Sequence, residues 1–222
     1  IRVKRIFDSI SHKYDLLNHL LSAGVDFYWR KKAIKFSDMN HNSILLDIAC
    51  GTGDFAITAK KFGVKNIFGA DLSYNMLSLF AKKAYWIKGK STECVAEYLP
   101  FKSNSFTNIT VAFGVRNFFD IPTAFNEFKR VLKQNGKATV LEFRLPENFI
   151  VKKLYLFYFK NILPFIGKII SKDPEAYTYL PESVEEFDSK IDLKKIFYEC
   201  GFSEVKKYSL TFGLVQVIIA TK

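Results

Sequence analysis

The stretch LDIACGTGD, residues 46–54, decides how this chain is read. An apolar run stops at Gly51, Thr52 and Gly53, and a helical pattern begins at once with Asp54. Strand, glycine turn and helix in that order mark the first unit of an open α/β sheet. Its turn faces the crevice where such sheets bind ligands. Gly51 and Gly53 withhold side chains, so a ligand can meet backbone N–H groups. The helix that follows adds the positive end of its dipole.

Several ligands compete for this turn. No GK[ST] follows, which excludes a phosphate-binding loop. Gly51-Thr52-Gly53-Asp54-Phe55-Ala56 satisfies the GxGxxA form of a dinucleotide fingerprint, and Asp71 stands 71 − 53 = 18 residues after Gly53. A ribose-binding acid is expected about 20 residues on. Against this, a pyrophosphate would meet the carboxylates of Asp47 and Asp54. A cationic ligand without phosphates would not, and the two acids can balance an amino group and a sulfonium.

The rest of the chain extends the α/β pattern. Strands are expected at 43–49, 66–70, 92–96, 106–113 and 137–143, with helices at 54–62, 74–85 and 121–132 between them. Two more strands, 205–210 and 214–220, are separated only by Thr211, Phe212 and Gly213. Parallel neighbours need a crossover of about a dozen residues, so this pair must be an antiparallel hairpin. The expected fold is a doubly wound, Rossmann-like, seven-stranded sheet, mostly parallel with a C-terminal antiparallel hairpin. The expected segments of one domain are N-terminal helices (1–40), a ligand-binding core (41–145), a helical lid insertion (146–190), and a helix with the hairpin (191–222). Residues 149–171 are aromatic and helical in pattern, interrupted at Pro164 and Gly167.

The bulk composition is that of a globular protein, 49% hydrophobic and 25% charged, in 222 residues. The 23 Phe and 11 Tyr supply either a large aromatic core or an apolar pocket. A net charge of +11 attracts nucleic acid, anionic membrane or anionic metabolites, although it is spread over the chain in pairs. Cys50, Cys94 and Cys200 are far apart, so no disulfide framework and no metal site is expected, and a reducing, cytoplasmic setting is. No signal peptide or uncharged run of about 20 apolar residues is read. The chain opens at Ile1 rather than Met, so a native start upstream is expected.

Acid, GxG, second acid and terminal hairpin together resemble the class I S-adenosylmethionine-dependent methyltransferases. Further stretches narrow this: KYDLLN (13–18), ADLSYNML (70–77), AEYLPFKSNSF (96–106), FGVRN (113–117), RVLKQNGKATVLEF (130–143) and YTYLPES (177–183). With these the chain is similar, over nearly its whole length, to the ubiquinone/menaquinone biosynthesis C-methyltransferase family.

The resemblance implies S-adenosylmethionine as cofactor. It places Asp47, Gly51, Thr52 and Gly53 at the methionine end, Asp71 on the ribose, and Leu72 and Met76 beside the adenine. Val95 and Ala96 fall near the adenine amino group, and Ala112 near the amino-acid end. Val95 stands where the family usually has Asn or Asp, and it cannot accept a side-chain hydrogen bond. The implied reaction methylates a ring carbon of a reduced quinone. Losing a phenolic proton pushes electron density onto that carbon. Arg116 is too basic to be an ordinary base, but it can stabilise the developing phenolate directly or through a water. Asn117 can orient that water or a quinol oxygen, and Tyr14 can hydrogen-bond the other ring oxygen.

Phe113 and Tyr177 complete the expected substrate contacts, under a lid formed by the aromatic segment. His12, His19 and His41 lie outside these stretches. The expected partners are a lipophilic quinol and an anionic membrane surface, with a homodimer also suggested by the family. A nucleic-acid amino-methyltransferase would carry [DNS]PP[YFW] where this chain reads AFGVRNFFD, so nucleic acid is not expected. A lipid-carrier module would not need the two acids and GxG, and a dinucleotide oxidoreductase remains a rival for the glycine turn.

Overall fold

A computed structural model describes residues 24–158 and 175–222, with Arg5, Ser22 and Asn161. Side chains of 175–181 lie outside the description. The expectations placed on Tyr14, His12, His19, residues 159–160 and 162–174, and the side chain of Tyr177 therefore fall outside the described residues.

The sheet has seven strands. They are β1 (Ile44–Ile48), β2 (Asn66–Asp71), β3 (Ser91–Glu93), β4 (Phe106–Ala112), β5 (Leu132–Phe143), β6 (Glu204–Leu210) and β7 (Val215–Thr221). Their order is β3-β2-β1-β4-β5-β7-β6. Strands β3, β2, β1, β4 and β5 run parallel. β7 inserts antiparallel between β5 and β6, with Val215 paired to Phe143. The short 211–214 connection forced this hairpin, as the sequence required.

Helices cover both faces. On one side lie α1 (Val25–Phe36), α2 (Asp54–Lys61) and α3 (Tyr74–Lys83), which bury Trp29, Phe55 and Phe80 with Leu45 and Ile67. On the other lie α4 (Ile121–Val131) and α7 (Leu193–Glu199), where Phe125 and Phe197 stack at 3.9 Å. Helix α4 starts where the sequence dictates. Asp120 accepts a hydrogen bond from the Thr123 N–H, and Pro122 sits in the first turn. Helices α5 (Phe149–Phe157) and α6 (Glu175–Lys190) lie between β5 and α7 in the chain.

Some boundaries differ from expectation. β3 spans Ser91–Glu93 rather than 92–96, because its register follows β2 and ends with Asp71 opposite Glu93. β5 begins at Leu132 rather than 137, because Leu132 already pairs with Phe106 before a register shift. The Asn135-Gly136 break sits inside that strand, with Asn135 at φ 62°. Helix α3 stops at Lys83 and a short 3-10 turn, Tyr85–Ile87, takes over. Helix α6 contains Pro181, an interior position that hid it from a propensity reading.

Candidate active site

The turn at the carboxyl end of β1 is tightly wound. Ala49, Gly51 and Gly53 have φ of 50°, 53° and 87°. The second glycine is also a packing requirement, since a Cβ on Gly53 would sit 2.1 Å from the Phe80 ring. The exit of β4 crosses the same turn: a Cβ on Gly114 would sit 2.6 Å from that of Ala49. This gives the glycine of FGVRN a physical reason. Phe113, just before it, is held at φ 59°, a conformation bulky residues avoid.

A small cleft of ≈30 Å³, partly open to solvent, lies over this turn. Its walls include Asp47, Gly51, Thr52 and Ala112, expected at the cofactor, Phe113, expected at the acceptor, and Arg30, while Gly53 does not line it. Asp47 is 1% exposed. Its Oδ1 accepts a hydrogen bond from the Thr110 hydroxyl at 2.6 Å. Its Oδ2 is buried with no hydrogen-bond partner among the described residues. Burial pushes this carboxyl up to about 7, against the opposing pull of Thr110, Arg30 and the Ala56 backbone N–H.

Arg30 comes from α1 and pairs with Asp26 one turn earlier. Its Nη2 lies 3.6 Å from Asp54 Oδ2, and its guanidinium stands 5.8 Å over the Phe113 ring. Its Nε is buried without a hydrogen-bond partner among the described residues. Asp54 is neutralised from both sides, since Lys83 Nζ reaches its Oδ1 at 2.7 Å. Lys83 also donates to the Thr52 hydroxyl at 3.3 Å. Asp54 therefore acts as an ion-pair hub at the start of α2, and the negative charge available to a ligand rests on Asp47.

The cleft thus holds a buried cation and a buried carboxyl, each with an unmatched polar atom. An α-amino acid zwitterion supplies the complement of both, a carboxylate for Arg30 and an ammonium for Asp47.

At the end of β2, Asp71 holds the turn together. Its Oδ2 accepts the Gly51 N–H and its Oδ1 the Ser73 N–H, both at 2.8 Å. A carboxylate at this strand end is the acceptor that ribose hydroxyls require. Ser73 caps α3 by accepting the Met76 N–H, and Met76 is buried. The Cys94 N–H bonds the Asp71 carbonyl, so Val95 and Ala96 lie beside the same strand ends. Val95 is half-buried and Ala96 is packed in the core.

Arg116 and Asn117 form the 3-10 turn Val115–Asn117 after β4. The Arg116 side chain is 6% exposed. Its Nη1 donates to the Phe113 carbonyl and to Glu142 Oε1, each at 2.7 Å. Glu142, in β5, is fully buried. Arg116 lines not the cleft over the glycine turn but a groove of ≈630 Å³ with Phe118, Phe187 and Ile191. Trp29, Phe113 and Phe143 form an aromatic wall between the two, with centroids 4.5–6.0 Å apart.

Arg30 and Glu142 are the residues the sequence reading missed. Glu142 was findable, because an acid near the carboxyl end of an apolar strand repeats the pattern of Asp47. Arg30 was not, since an Asp-Arg pair at i, i+4 reads as an ordinary helix-surface pair.

The strand order, the terminal hairpin and a cleft shaped for a zwitterion over the glycine turn define a class I S-adenosylmethionine-dependent methyltransferase. Two solved structures share the fold. A Thermotoga maritima protein described as an S-adenosylmethionine-dependent methyltransferase and possible histamine N-methyltransferase superposes with TM-score 0.68 at 20% identity, covering 98% of this chain and 99% of that one. A putative methyltransferase of the same cofactor class from Methanococcus maripaludis gives 0.65 at 21% identity, covering 96% and 91%.

The family model of the ubiE/COQ5 methyltransferases matches residues 1–222, and the chain belongs to that family. A demethylmenaquinone methyltransferase of Chlorobaculum parvum is 42% identical over 99% of this chain and 92% of its own length. One from Bacteroides fragilis is 38% identical over 100% and 92%. A ubiquinone/menaquinone biosynthesis C-methyltransferase of Geotalea uraniireducens is 39% identical over 100% and 96%. The protein is accordingly an S-adenosylmethionine-dependent C-methyltransferase.

Proposed function

We propose that this enzyme methylates a ring carbon of a reduced polyprenyl quinone precursor, of the demethylmenaquinol or ubiquinol-precursor type. The observation that carries this reading is near-full-length similarity to relatives named for that reaction. S-adenosylmethionine, when bound, supplies the electrophilic methyl group. Asp47 takes its ammonium, Arg30 its carboxylate and Asp71 its ribose hydroxyls, while Leu72, Met76, Val95 and Ala96 surround the adenine.

The half-buried Phe113 ring at the cleft, backed by Trp29 and Phe143, offers a flat quinol ring a surface to stack on. Arg116 stabilises negative charge as a phenolic proton leaves, and Asn117 and Tyr14 orient the ring oxygens. Bonding of the ring carbon to the methyl group breaks the sulfonium S–CH₃ bond and leaves S-adenosylhomocysteine. Loss of the ring C–H proton and return of a proton to the oxygen then restore the quinol, with one proton released overall. Phe113 and Tyr177 flank the acceptor. An isoprenoid tail would keep the acceptor in a bilayer, which supports a reaction at a membrane surface, and the net charge of +11 favours an anionic one. Among the described residues, no helix is long and apolar enough to cross a membrane.

The test is incubation with S-adenosylmethionine and chemically reduced demethylmenaquinone or a ubiquinone precursor, read by mass spectrometry. The expected product is heavier by one methyl on a ring carbon. No gain with either quinol, while S-adenosylmethionine still binds, would reject the acceptor. The role of Arg30 has its own readout. Arg30→Met is expected to weaken S-adenosylhomocysteine by about 2 kcal/mol, or roughly 30-fold. It should leave the decarboxylated analogue unchanged. Equal loss for both ligands would make Arg30 a purely structural ion-pair partner.

A further inference from the structure

We propose that the carboxyl edge of the sheet carries a lipid-docking rim, formed by the outward face of α5 and the Phe212 turn, which seats the enzyme on an anionic bilayer. It rests on the reading of the acceptor as a bilayer-borne quinol. Helix α5 is turned inside out for a water-facing helix. Phe149, Ile150, Leu154 and Phe157 are 59–76% exposed, whereas Tyr155 is 9% exposed. At about 3.6 residues per turn the four exposed residues share one face and Tyr155 lies opposite. A helix serving only to cover the sheet would show the reverse pattern.

The turn Thr211–Gly213 supplies the second element. Phe212 is 84% exposed and held at φ 55°, after Thr211 at φ 48°. A bulky side chain in the left-handed region carries strain, and an exposed Phe gains no burial to offset it. The turn is nevertheless pinned. Trp29 Nε1 donates to the Thr211 hydroxyl at 2.7 Å, and the Leu214 N–H donates to the Thr211 carbonyl at 3.1 Å. A Cβ on Gly213 would lie 3.5 Å from the Pro146 Cα. The structure thus projects an apolar ring outward from a fixed base.

The two elements are continuous. Tyr155 packs with Leu214 of that turn's exit and with Leu145, Leu156 and Tyr158. Both lie at the edge where β5 ends and β7 begins, since Phe143 pairs with Val215. Trp29, which anchors the turn, also borders the aromatic wall of the site.

Charge selects the occupant. Helix α5 carries Lys152 and Lys153 and no acid. Apolar side chains flanked by lysines match acyl chains beneath anionic headgroups. A second copy docking the same patch on itself would set lysines against lysines.

The experiment is co-sedimentation of the full chain with phosphatidylcholine vesicles, with and without phosphatidylglycerol. Wild type is expected to pellet with the anionic vesicles. Leu154→Ser/Phe212→Ser is expected to lower the bound fraction by about tenfold or more while binding S-adenosylhomocysteine as wild type does. Leu154 faces outward, 65% exposed, rather than covering the site, so the same variant should methylate a short-chain, water-dispersed quinol normally and fall behind only on vesicle-borne quinol. Wild-type vesicle binding by the folded variant would overturn the rim. So would a wild type that ignores anionic vesicles and instead doubles its mass with concentration, which would assign the patch to self-association. Failure of the acceptor reading is separate, since it shows as no methylation of the short-chain quinol by wild type.

Discussion

Asp47→Asn is expected to abolish useful cofactor binding and, at the same time, to make the ligand-free protein more stable at pH 8. The two effects have one cause. Asp47 is buried, its Oδ2 lacks a partner among the described residues, and its carboxyl titrates at about 7 rather than 3.8. Below pH 3.8 the folded and unfolded chains both hold the proton, and burial costs nothing through this group. Between 3.8 and about 7 only the folded chain holds it, so stability falls as pH rises. Above about 7 the full penalty is present, on the order of 4 kcal/mol at most.

Asparagine keeps the acceptor for Thr110 and removes the charge, though its amide N–H₂ also needs partners. The expected net gain is therefore about 2 kcal/mol at pH 8 and near zero at pH 4. It is read as a higher Tm at pH 8 alone. The ligand side runs the other way. An ammonium against Asp47 favours the ionised carboxylate, so binding releases protons near neutrality and wild-type affinity rises with pH until about 7. Loss of that charge is expected to cost about 2–4 kcal/mol of affinity, roughly 30- to 1000-fold, with a flat pH profile. Calorimetry in two buffers of different ionisation enthalpy reads the proton release directly. A variant equally destabilised at both pH values, or one binding S-adenosylhomocysteine like wild type, would refute this account.

The same residue shows how far sequence alone reached. An acid inside an apolar strand, just before GxG, is visible in any reading of 46–54, and so is the need for small residues at the turn. The hairpin was legible because three residues cannot make a parallel crossover. The balance of charge was less so. Asp54 looked like a second free anion, yet Arg30 and Lys83, 24 and 29 residues away in the chain (54 − 30 and 83 − 54), both reach it. No local spacing encodes those contacts, because they arise only when α1 and α3 pack beside α2. Arg116 was placed correctly in the chain, after β4, but its buried partner Glu142 comes from the next strand in the sheet. Long-range pairing of this kind is set by strand register, which the sequence specifies only through the completed fold.

That pair also separates two roles for Arg116. Breaking a buried ion pair from one side leaves an uncompensated charge, whereas replacing both partners with uncharged groups of similar size is often near neutral. Arg116→Met and Glu142→Gln are each expected to lose about 3–5 kcal/mol of stability. The double variant should recover most of that loss, as the coupling of two residues in contact requires. A denaturant series on the four proteins completes the cycle. If Arg116 served only to hold the Phe113 carbonyl and balance Glu142, the double variant would regain methyl transfer along with stability. Stabilisation of a phenolate by Arg116 predicts otherwise: the double variant folds and binds S-adenosylhomocysteine, yet kcat stays about 100-fold or more below wild type. It also predicts partial rescue as pH rises toward the phenol's own pKa of about 10, where the acceptor ionises unaided. Recovery of kcat in the double variant at neutral pH would leave Arg116 with a structural role alone. Glu142 would then be explained by the same pair, as the strand acid that keeps the FGVRN turn in place.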